Sequence, residues 1–393
     1  MIESWRWFGP LDRIGLDEIA QTGARALVTA LHEIPYGEVW SIDAIRERQA
    51  LIAAQGLGLD WRVVESLPLH ENIKRGEGDL DRLFANYRAS MANLAACGIT
   101  TICYNFMPLL DWTRTTLDYP MPGGGTALRF DAVQMAAFDI FMLERPRAEA
   151  DHAPGVVEKA ADWHRQASEA QKGTLLTSIM AGLPGAYARF DIAGLRAALT
   201  TFDGLTHDDL RANLARFLRE IIPTAQELGM KMCIHPDDPP RDILGLPRIC
   251  SNAKDVGWIL SAVDAMENGL TLCSGSLGAN PVNDLPAIAA EFAPRVHFAH
   301  LRNVTKSPDG SFHEDDHLGG DVDMVALVEV LHAEDQRRGT AGEDRPIYFR
   351  PDHGHELAMD QGRGTHPGYP LIGRLKGLAE LRGILATLSH AAG

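Results

Sequence analysis

The residues of this chain that are best suited to chemistry stand at the ends of short apolar segments. Residues 347–350 form one such segment, and Asp352 follows it after a single proline. Three other apolar segments end in a histidine or a cysteine, and these residues are His235, Cys273 and His300. Imidazole, thiolate and carboxylate side chains are the protein groups that bind transition-metal ions. Four such groups at equivalent positions predict one metal site with these residues as its ligands.

The wide spacing of the predicted ligands distinguishes them from a structural zinc site. Structural zinc ribbons use closely spaced Cys-x-x-Cys pairs, whereas each of these four residues is separated from the next by a whole strand-and-helix unit. One ligand at each of several strand ends is typical of a catalytic site that keeps positions open for substrate and water. A thiolate with two imidazoles favours zinc or ferrous iron, and the carboxylate also admits manganese. From the residue types alone, zinc is the first expectation.

Eight short apolar segments, each followed by a helical pattern, are available to position these ligands. They are residues 5–8, 26–31, 61–66, 100–105, 230–234, 270–273, 296–301 and 347–350. Strands separated by helices predict a parallel sheet, because parallel neighbours need crossover connections. Eight such units close most naturally into a (β/α)8 TIM barrel, an α/β fold whose site lies at the C-terminal ends of the strands. An open doubly wound sheet is the alternative, but no Gly-x-Gly-x-x-Gly follows any of these segments.

The alternation of strands and helices breaks after the fourth strand. Residues 108–206 show no convincing strand, and their helical patterns are at 132–143, 156–171 and 191–201. We therefore expect a helical insertion at 108–206 within a single barrel domain that spans residues 1–393. The triplet Gly123-Gly124-Gly125 is expected to form a flexible turn. Its pattern is not that of a phosphate-binding loop, because no strand precedes it and no Lys-Ser/Thr follows it.

The composition is that of a globular protein with a strong negative charge. The chain has 393 residues, of which 45% are hydrophobic and 23% are charged, and its formal net charge is -16. Nucleic acids and anionic membrane surfaces need a basic surface, so neither is expected as a partner. Five scattered cysteines do not suggest a disulfide framework, and no stretch approaches the roughly 20 apolar residues of a membrane span. Since no signal-peptide pattern is visible, we expect a cytoplasmic protein that acts on a small molecule.

Long segments distributed over nearly the whole chain match one enzyme family. They are WRWFGP, VTALHEIPYGEVWS, VVESLPLHENIK, CGITTICYNFMPLLDWTRT, HPDDPPRDILGLPRI, FAHLRN, FHEDDHLGGDVDM, RPDHGH and HPGYPLIGRLKGLAELRG. On these segments the chain resembles the mannonate dehydratases, which remove water from D-mannonate in hexuronate (glucuronate) catabolism. The resemblance implies the xylose-isomerase-like form of the barrel and the product 2-dehydro-3-deoxy-D-gluconate. It also implies one Mn²⁺ or Fe²⁺ ion per chain, in place of the zinc expected from residue types.

The resemblance also assigns roles to individual residues. It places the metal ligands at the four positions named above and the acid/base residues at His353 and Tyr369. Dehydration of a 2,3-dihydroxy acid needs a base for the proton at C2 and an acid for the departing 3-hydroxyl. Which of the two residues is the base stays open at this point. Ligation of Asp352 would hold the adjacent His353 near the metal, which favours His353 over His355.

Further polar residues at the strand ends are candidates for binding the sugar acid. Arg302 and Arg350 lie beside predicted ligands, and either could fork onto the substrate carboxylate. The alternative for them is an ion pair with a barrel carboxylate such as Glu65. Asn105 and His70 are predicted to contact sugar hydroxyls.

The two connections that flank the site add weaker candidates. His313 and His317, after the seventh strand, are further possible contacts to sugar hydroxyls. Trp112 and Arg114 begin the insertion and are candidates for a lid over the mouth.

Three other classes of protein fit parts of the pattern. A sugar isomerase or epimerase on the same fold would also use a metal ion and an acid/base pair, and only dehydration makes a 2-keto-3-deoxy acid. A phosphodiesterase of the DNA-repair type would need a basic groove, which the net charge of -16 disfavours. A non-catalytic sugar-acid sensor would bind the same ligand without turnover. A homodimer is expected, because barrels of this kind often pair.

Overall fold

The computed structural model describes residues 1–182 and 190–391 of the chain. Within these residues the chain forms twelve β-strands, numbered in chain order: β1 Ile2–Arg6, β2 Ala26–Thr29, β3 Asp60–Glu65, β4 Thr101–Tyr104, β5 Thr116–Pro120, β6 Thr126–Phe130, β7 Lys231–Ile234, β8 Asn268–Cys273, β9 Val296–Leu301, β10 Asn303–Lys306, β11 Phe312–Asp315 and β12 Tyr348–Pro351.

The same residues form fourteen α-helices: α1 Leu16–Gln21, α2 Ile42–Ala53, α3 Glu71–Arg75, α4 Leu80–Ala96, α5 Ala132–Ala137, α6 Pro154–Gln166, α7 Glu169–Ile179, α8 Ile192–Thr200, α9 His207–Glu227, α10 Ala253–Ala262, α11 Ser274–Gly278, α12 Leu285–Phe292, α13 Met324–Thr340 and α14 Leu371–Ala391. Side chains of Ser41, Asp79 and Thr206 accept a backbone N–H at the first turns of α2, α4 and α9, which fixes where these helices begin. None of the described helices has the length and hydrophobicity needed to cross a membrane.

Eight of the strands form a closed parallel barrel. Their order around the barrel is β1-β12-β9-β8-β7-β4-β3-β2, so strands that follow one another in the chain are neighbours once the four strands outside the barrel are set aside. The (β/α)8 fold expected from the sequence is thereby confirmed. The first strand begins earlier than predicted, at Ile2, because it pairs with β12 from that residue onward.

Alternation of side chains along each strand organises the interior of the barrel. The apolar layer inside it consists of Val28, Val63, Cys103, Cys233 and Phe298, with Tyr348 packed against them. Successive side chains of a strand point to opposite faces, so the residue two positions beyond a lumen residue also faces the interior. On five strands that position is polar, and it is occupied by Glu65, Asn105, His235, His300 and Arg350. Polar groups therefore lie directly above an apolar layer, at the C-terminal mouth.

The opposite faces of the strands pack against the helices and form the main hydrophobic core. Val64, Ile102 and Leu272 belong to one continuous cluster with helix residues such as Leu218 and Leu327. Full burial of each such side chain contributes about 1.5–3 kcal/mol. This outer layer holds the strand ends, and hence the mouth, in a fixed geometry.

Four strands outside the barrel form an antiparallel sheet at its mouth, in the order β10-β11-β6-β5. Because β5 and β6 lie within residues 108–206, the prediction that this insertion contains no strand is wrong. β6 pairs with β11 through Phe130 and Phe312, whose rings stack 5.5 Å apart. Each strand is short and its partner is distant in sequence, so local patterns do not identify it. The insertion after the fourth barrel strand is mixed rather than purely helical.

The turn predicted at the glycine triplet joins β5 to β6. Gly124 and Gly125 have φ values of 82° and 79°, a region that favours glycine. A Cβ on Gly125 would lie 2.7 Å from the carbonyl oxygen of Glu356. Thr126 and Glu356 exchange two backbone hydrogen bonds of 3.1 and 2.8 Å. The hairpin is thus fastened to the segment that follows β12.

The helix predicted at 156–171 is two helices in the structure. α6 ends at Gln166 and α7 begins at Glu169. Between them Ser168 and Gln171 form a capping box, in which each side chain accepts the backbone N–H of the other residue. The cap starts a new helix where the apolar periodicity alone suggests continuation.

Candidate active site

Three of the four predicted ligands converge at the mouth of the barrel. One ligand atom from each of His235, Cys273 and His300 lies within 4.8 Å of the others. The residues come from the ends of the neighbouring strands β7, β8 and β9, and Cys273 and His300 are direct partners in the parallel register. Since metal–nitrogen and metal–sulfur bonds are roughly 2.0–2.3 Å long, one ion can bind all three atoms.

The polar contacts of the two imidazoles favour lone pairs on the nitrogens that face each other. His235 Nδ1 lies 2.7 Å from the carbonyl oxygen of Pro236 and donates to it. His300 Nε2 lies 3.3 Å from an oxygen of Glu65, which favours a proton on that nitrogen. The remaining nitrogens, His235 Nε2 and His300 Nδ1, are 3.1 Å apart. Two lone pairs at this separation repel unless a proton or a cation lies between them, so the donor set fits a metal ion.

Cys273 lies beside the fourth predicted ligand. Its sulfur is 3.7 Å from Oδ2 of Asp352 and accepts a hydrogen bond of 3.0 Å from the hydroxyl of Ser276. Asp352 directly follows β12, the strand next to β9. The carboxylate is therefore close enough to complete a four-ligand set, although the three residues that converge most tightly are the two histidines and the cysteine.

A second group of possible ligands, Glu65, Cys103 and His300, lies deeper in the barrel and also fits within 4.8 Å. Arg350 donates to both oxygens of Glu65, at 3.1 and 2.9 Å. Burial raises the pKa of the Cys103 thiol well above its ordinary value, so this sulfur stays protonated. A neutral thiol is a poor ligand, and Arg350 occupies both oxygens of Glu65, whereas it donates to Oδ1 of Asp352 and leaves Oδ2 beside Cys273. The group that contains Cys273 is the better metal site.

Arginine charges keep the carboxylates around the candidate ion ionised. Burial opposes ionisation of Glu65, but the charges of Arg350 and His300 outweigh it and hold the Glu65 pKa well below its usual range. Burial likewise opposes ionisation of Asp352, and Arg350 together with His353 holds its pKa well below the usual range. Arg350 also donates a hydrogen bond to Asp352. Both groups are therefore carboxylates at neutral pH.

Arg302 is the centre of a second buried ion-pair network. Its guanidinium donates to Glu314 at 3.0 Å and to Asp238 at 2.5 Å, and its Nε lies 3.4 Å from Asp352. Arg114 donates to both oxygens of Asp238, at 2.7 and 3.0 Å, and to Glu314 at 2.9 Å. Burial opposes ionisation of Glu314, but the neighbouring positive charges lower its pKa to about 2. The network is charged and fixed in one arrangement.

These ion pairs bear on the contacts predicted between the two arginines and the substrate carboxylate. The alternative considered for them, an ion pair with a barrel carboxylate such as Glu65, is present for Arg350. Arg302 is paired with Asp238 and Glu314 instead. Both guanidiniums still line the cavity at the mouth.

His353 and Tyr369 stand together on the wall of that cavity. Their ring centroids are 4.9 Å apart, edge to face. Glu314 Oε1 and Arg302 NH1 each lie 2.6 Å from Nδ1 of His353. A carboxylate only accepts hydrogen bonds and Arg302 has other acceptors, so we place a proton on Nδ1 and a lone pair on Nε2. Burial raises the pKa of Tyr369, which keeps its hydroxyl protonated.

The cavity brings these groups into one small space. His235 and Asp352 share its wall with His353 and Tyr369, and Asn105, as predicted, also lines it. The cavity has a volume of about 40 Å³, which holds only a few water molecules at roughly 10–15 Å³ each.

Three predicted sugar contacts are not among the residues of the cavity wall. His70 instead caps α3, since its Nδ1 accepts the N–H of Asn72 at 3.1 Å. His313 packs against the ring of Tyr119. His317 is buried, and burial lowers its pKa to about 4. The contacts of these three residues with the sugar acid stay predictions.

The loop that carries Trp112 is held in place. Lys74 donates to one of its carbonyl oxygens at 2.7 Å, and Arg248 donates to another at 2.8 Å. The N–H of Thr113 donates to the Asp238 carbonyl oxygen at 3.0 Å. Trp112 lines the cavity, but these bonds and the ion pairs of Arg114 do not leave this loop the freedom expected of a lid.

Sequence reasoning missed two residues of this site. Glu314 lies on β11, a strand that was not predicted, and the acidic run FHEDDH was the only signal for it. Asp111 lines the cavity but does not directly follow a predicted strand, and the family segment CGITTICYNFMPLLDWTRT that contains it was the only signal for it. His355, the less favoured neighbour of His353, donates from Nε2 to the carbonyl oxygen of Glu314 at 3.1 Å and is not part of the cavity wall.

Known proteins resemble this chain over its whole length. Residues 1–392 match the family model described as D-mannonate dehydratase (UxuA). The mannonate dehydratase of Chromohalobacter salexigens is 52% identical over 393 residues, with 100% of both chains covered. That of Rhizobium meliloti is 50% identical over 395 residues, with 100% of this chain and 98% of the relative covered. The solved structure of mannonate dehydratase from Streptococcus suis serotype2 superposes with a TM-score of 0.77 at 34% identity, covering 100% of this chain and 95% of that one.

Proposed function

The chain belongs to the D-mannonate dehydratase family, and we propose that its barrel mouth removes water from D-mannonate to give 2-dehydro-3-deoxy-D-gluconate. One observation carries the proposal. The converging atoms of His235, Cys273 and His300 adjoin the cavity that His353 and Tyr369 line. A metal site beside an acid/base pair is what a hydro-lyase acting next to a carboxylate needs.

The proposed cofactor is one Mn²⁺ or Fe²⁺ ion held by His235, Cys273, His300 and Asp352. Two imidazoles, a thiolate and a carboxylate are a donor set that both ions accept. When bound, the ion acts as a Lewis acid for the negative charge that develops next to the substrate carboxylate. Arg350 supports this role from the protein side, because it keeps Asp352 ionised.

His353 is proposed to take the proton from C2. Its Nδ1 is occupied by Glu314, so Nε2 is the nitrogen available to accept a proton from a ligand in the cavity. The imidazolium that forms is stabilised by the Glu314 carboxylate, which Arg302 and Arg114 hold in place. His353 thus acts as the general base, and the Glu314 carboxylate orients it.

Tyr369 is proposed to protonate the departing 3-hydroxyl. Burial keeps its own hydroxyl protonated, and the nearby charges of Arg350 and Arg6 favour the phenolate that remains after proton donation. The proton from C2 thus resides on His353, and the 3-hydroxyl leaves as water with the proton of Tyr369. The resulting enol converts to the 2-keto acid.

The roles proposed for the other predicted residues follow from their contacts. Arg302 and Arg350 are proposed to orient protein carboxylates. They bind the substrate carboxylate only through N–H groups that these protein carboxylates do not use. Asn105 is proposed to bind a sugar hydroxyl, and the sugar contact of His70, which caps α3 in this structure, stays a prediction. A single domain over residues 1–393, a homodimer, a cytoplasmic location and the absence of nucleic-acid or membrane partners stay predictions.

The test is an assay of protein reconstituted with Mn²⁺ or Fe²⁺. D-mannonate, D-gluconate and D-fructuronate are supplied separately, and formation of a 2-keto-3-deoxy acid is followed. We expect product from D-mannonate alone. Turnover of D-gluconate without turnover of D-mannonate would refute the substrate assignment, and an epimerised acid without a keto product would identify an epimerase instead.

A further inference from the structure

Asp111 is a buried carboxyl group on the cavity wall with an unused hydrogen-bonding atom. The residue is 4% exposed and lines the cavity together with His353 and Tyr369. Its Oδ1 is buried and has no hydrogen-bond partner among the described residues. Leaving a buried acceptor unsatisfied is unfavourable. Burial accordingly raises the pKa of Asp111 to about 7, although Lys74 and other nearby positive charges act against it.

A carboxyl group with a purely structural role has a different environment in this protein. Asp255 is also buried, at 7% exposed. Its carboxylate accepts hydrogen bonds from Ser251, Asn252 and Arg211, at 3.1, 2.9 and 3.1 Å. Asp255 therefore links its neighbours through hydrogen bonds, whereas Oδ1 of Asp111 makes no hydrogen bond with the described residues.

The position of Asp111 in the barrel relates it to a particular part of the substrate. It follows β4, and the barrel order β12-β9-β8-β7-β4 places β4 four strands from β12, on the opposite side of the mouth. His353 and Tyr369 follow β12 and are proposed to act on C2 and C3. A chain of six carbons that has these atoms at the β12 side extends its remaining carbons toward the β4 side.

The surrounding loop fixes the carboxyl in this position. Lys74 and Arg248 each donate to a carbonyl oxygen of the loop, and the Thr113 N–H is bonded to Asp238. Asp111 therefore does not reach solvent to satisfy Oδ1 without breaking these bonds. The donor must therefore come from within the cavity, from water in the free protein or from a ligand that displaces the water.

We propose that Asp111 accepts a hydrogen bond from one hydroxyl on C4, C5 or C6 of the bound sugar acid and thereby selects acids that carry that hydroxyl. The proposal rests on the proposed function, because it takes D-mannonate as the ligand. Asp111 is a specificity-determining residue in this scheme and takes no part in proton transfer.

The experiment measures binding without turnover. Calorimetry follows D-mannonate and its analogues lacking the hydroxyl at C4, C5 or C6, titrated into metal-loaded Tyr369→Phe protein with and without Asp111→Ala. In the Asp111-containing protein we expect one analogue to bind about 10- to 100-fold more weakly than D-mannonate, the effect of losing a hydrogen bond to a charged group. In Asp111→Ala protein, the affinity for D-mannonate should fall by a similar factor. The affinity for that analogue should fall little further, because the hydrogen bond is already absent.

Control measurements separate this role from a structural one. Asp111→Ala and Asp111→Leu should keep the metal content, and their melting temperatures should be unchanged or higher because an unsatisfied buried acceptor is removed. Asp255→Asn should lower the melting temperature and leave the discrimination among the analogues unchanged. If Asp111→Ala does not fold, the same titrations with Asp111→Leu, which has a side chain of similar size without an acceptor, decide the question.

Two results would overturn the inference while leaving the dehydratase assignment intact. One is equal discrimination among the analogues with and without Asp111. The other is a large drop in melting temperature in both Asp111 variants, which would show that the carboxyl is structural. Failure of the proposed function is a separate result, because it appears as the absence of a keto product from wild-type protein and D-mannonate.

Discussion

The two sides of the barrel mouth are equally buried but differ in how their charges are satisfied. On the β9–β12 side, Arg302 and Arg350 bind the carboxylates of Glu314 and Asp352, and these carboxylates have lowered pKa values. On the β4 side, Asp111 has a buried oxygen without a hydrogen-bond partner among the described residues and a pKa raised to about 7. Glu314 and Asp111 are both 4% exposed, so burial alone does not separate the two situations.

The difference separates groups that build the site from groups that meet the ligand. A carboxylate whose oxygens are held by arginines has little capacity left for a substrate, and its function is to fix geometry and charge. A carboxyl with an unused acceptor has that capacity. In a cavity lined by many charged residues, the partners of each atom are therefore a better guide to its role than the residue type.

The largest expected effect comes from removing a predicted metal ligand. Cys273→Ala should lose the bound metal, and activity should fall by at least about 10³-fold, more than the 10- to 100-fold cost of losing a partner outside the ligand shell. Metal content by elemental analysis and kcat with D-mannonate measure it. Cys103→Ala is the matched control and should retain the metal. Retention of metal and activity in Cys273→Ala would place the ion elsewhere.

Tyr369→Phe should separate metal binding from chemistry. The variant keeps the ring that packs on His353 but has no proton to donate, so kcat should fall by about 10²- to 10⁴-fold with the metal content unchanged. Single-turnover measurements of keto-acid formation and elemental analysis of the same sample test this. An unchanged kcat would remove the hydroxyl from the mechanism.

Glu65→Gln tests whether the paired carboxylates act by positioning. The change weakens the acceptor that favours the proton on His300 Nε2 and leaves Arg350 short of a counter-charge. Metal affinity should fall by about 10- to 100-fold, and the free energy of unfolding by about 3 kcal/mol. Competition with a chelator and chemical denaturation measure the two effects. Glu144→Gln, which alters an exposed pair with Arg196, should cost no more than about 1 kcal/mol.

The smallest expected effect is a pH-dependent one at Glu314. Its pKa in the folded protein is about 2, below the 4.5 of a free glutamate side chain, so its ionisation stabilises the folded state at pH values above about 4.5. This contribution is lost as the pH falls from 4.5 toward 2. The difference in unfolding free energy between wild type and Glu314→Gln should therefore shrink over that interval.

Denaturation curves at a series of pH values measure that difference. The exposed Glu329→Gln is the control for simple loss of one carboxylate. A Glu314→Gln difference that stays constant from pH 6 to pH 3 would mean that Glu314 is not held by its arginine partners.

Much of the barrel and of the candidate site could be predicted from the sequence, because the relevant signals are local. A strand in a parallel barrel is a short apolar run, and its alternation places every second side chain in the lumen. Phe298 therefore predicts the direction of His300, and Cys233 that of His235. Since the carboxyl ends of all barrel strands meet at one mouth, polar residues just beyond these runs converge without any knowledge of the connections.

The tertiary structure alone decided which of these polar groups have partners. The pairing of β6 with β11 joins segments far apart in sequence, and it is this sheet that brings Glu314 to Arg302 and His353. The same holds for Arg350 on Glu65, and for the absence of any donor to Oδ1 of Asp111 among the described residues. A sequence specifies the type of each side chain and its direction along a strand. Whether a buried charge is satisfied depends on atoms contributed by other strands and loops, and only their packing determines those distances.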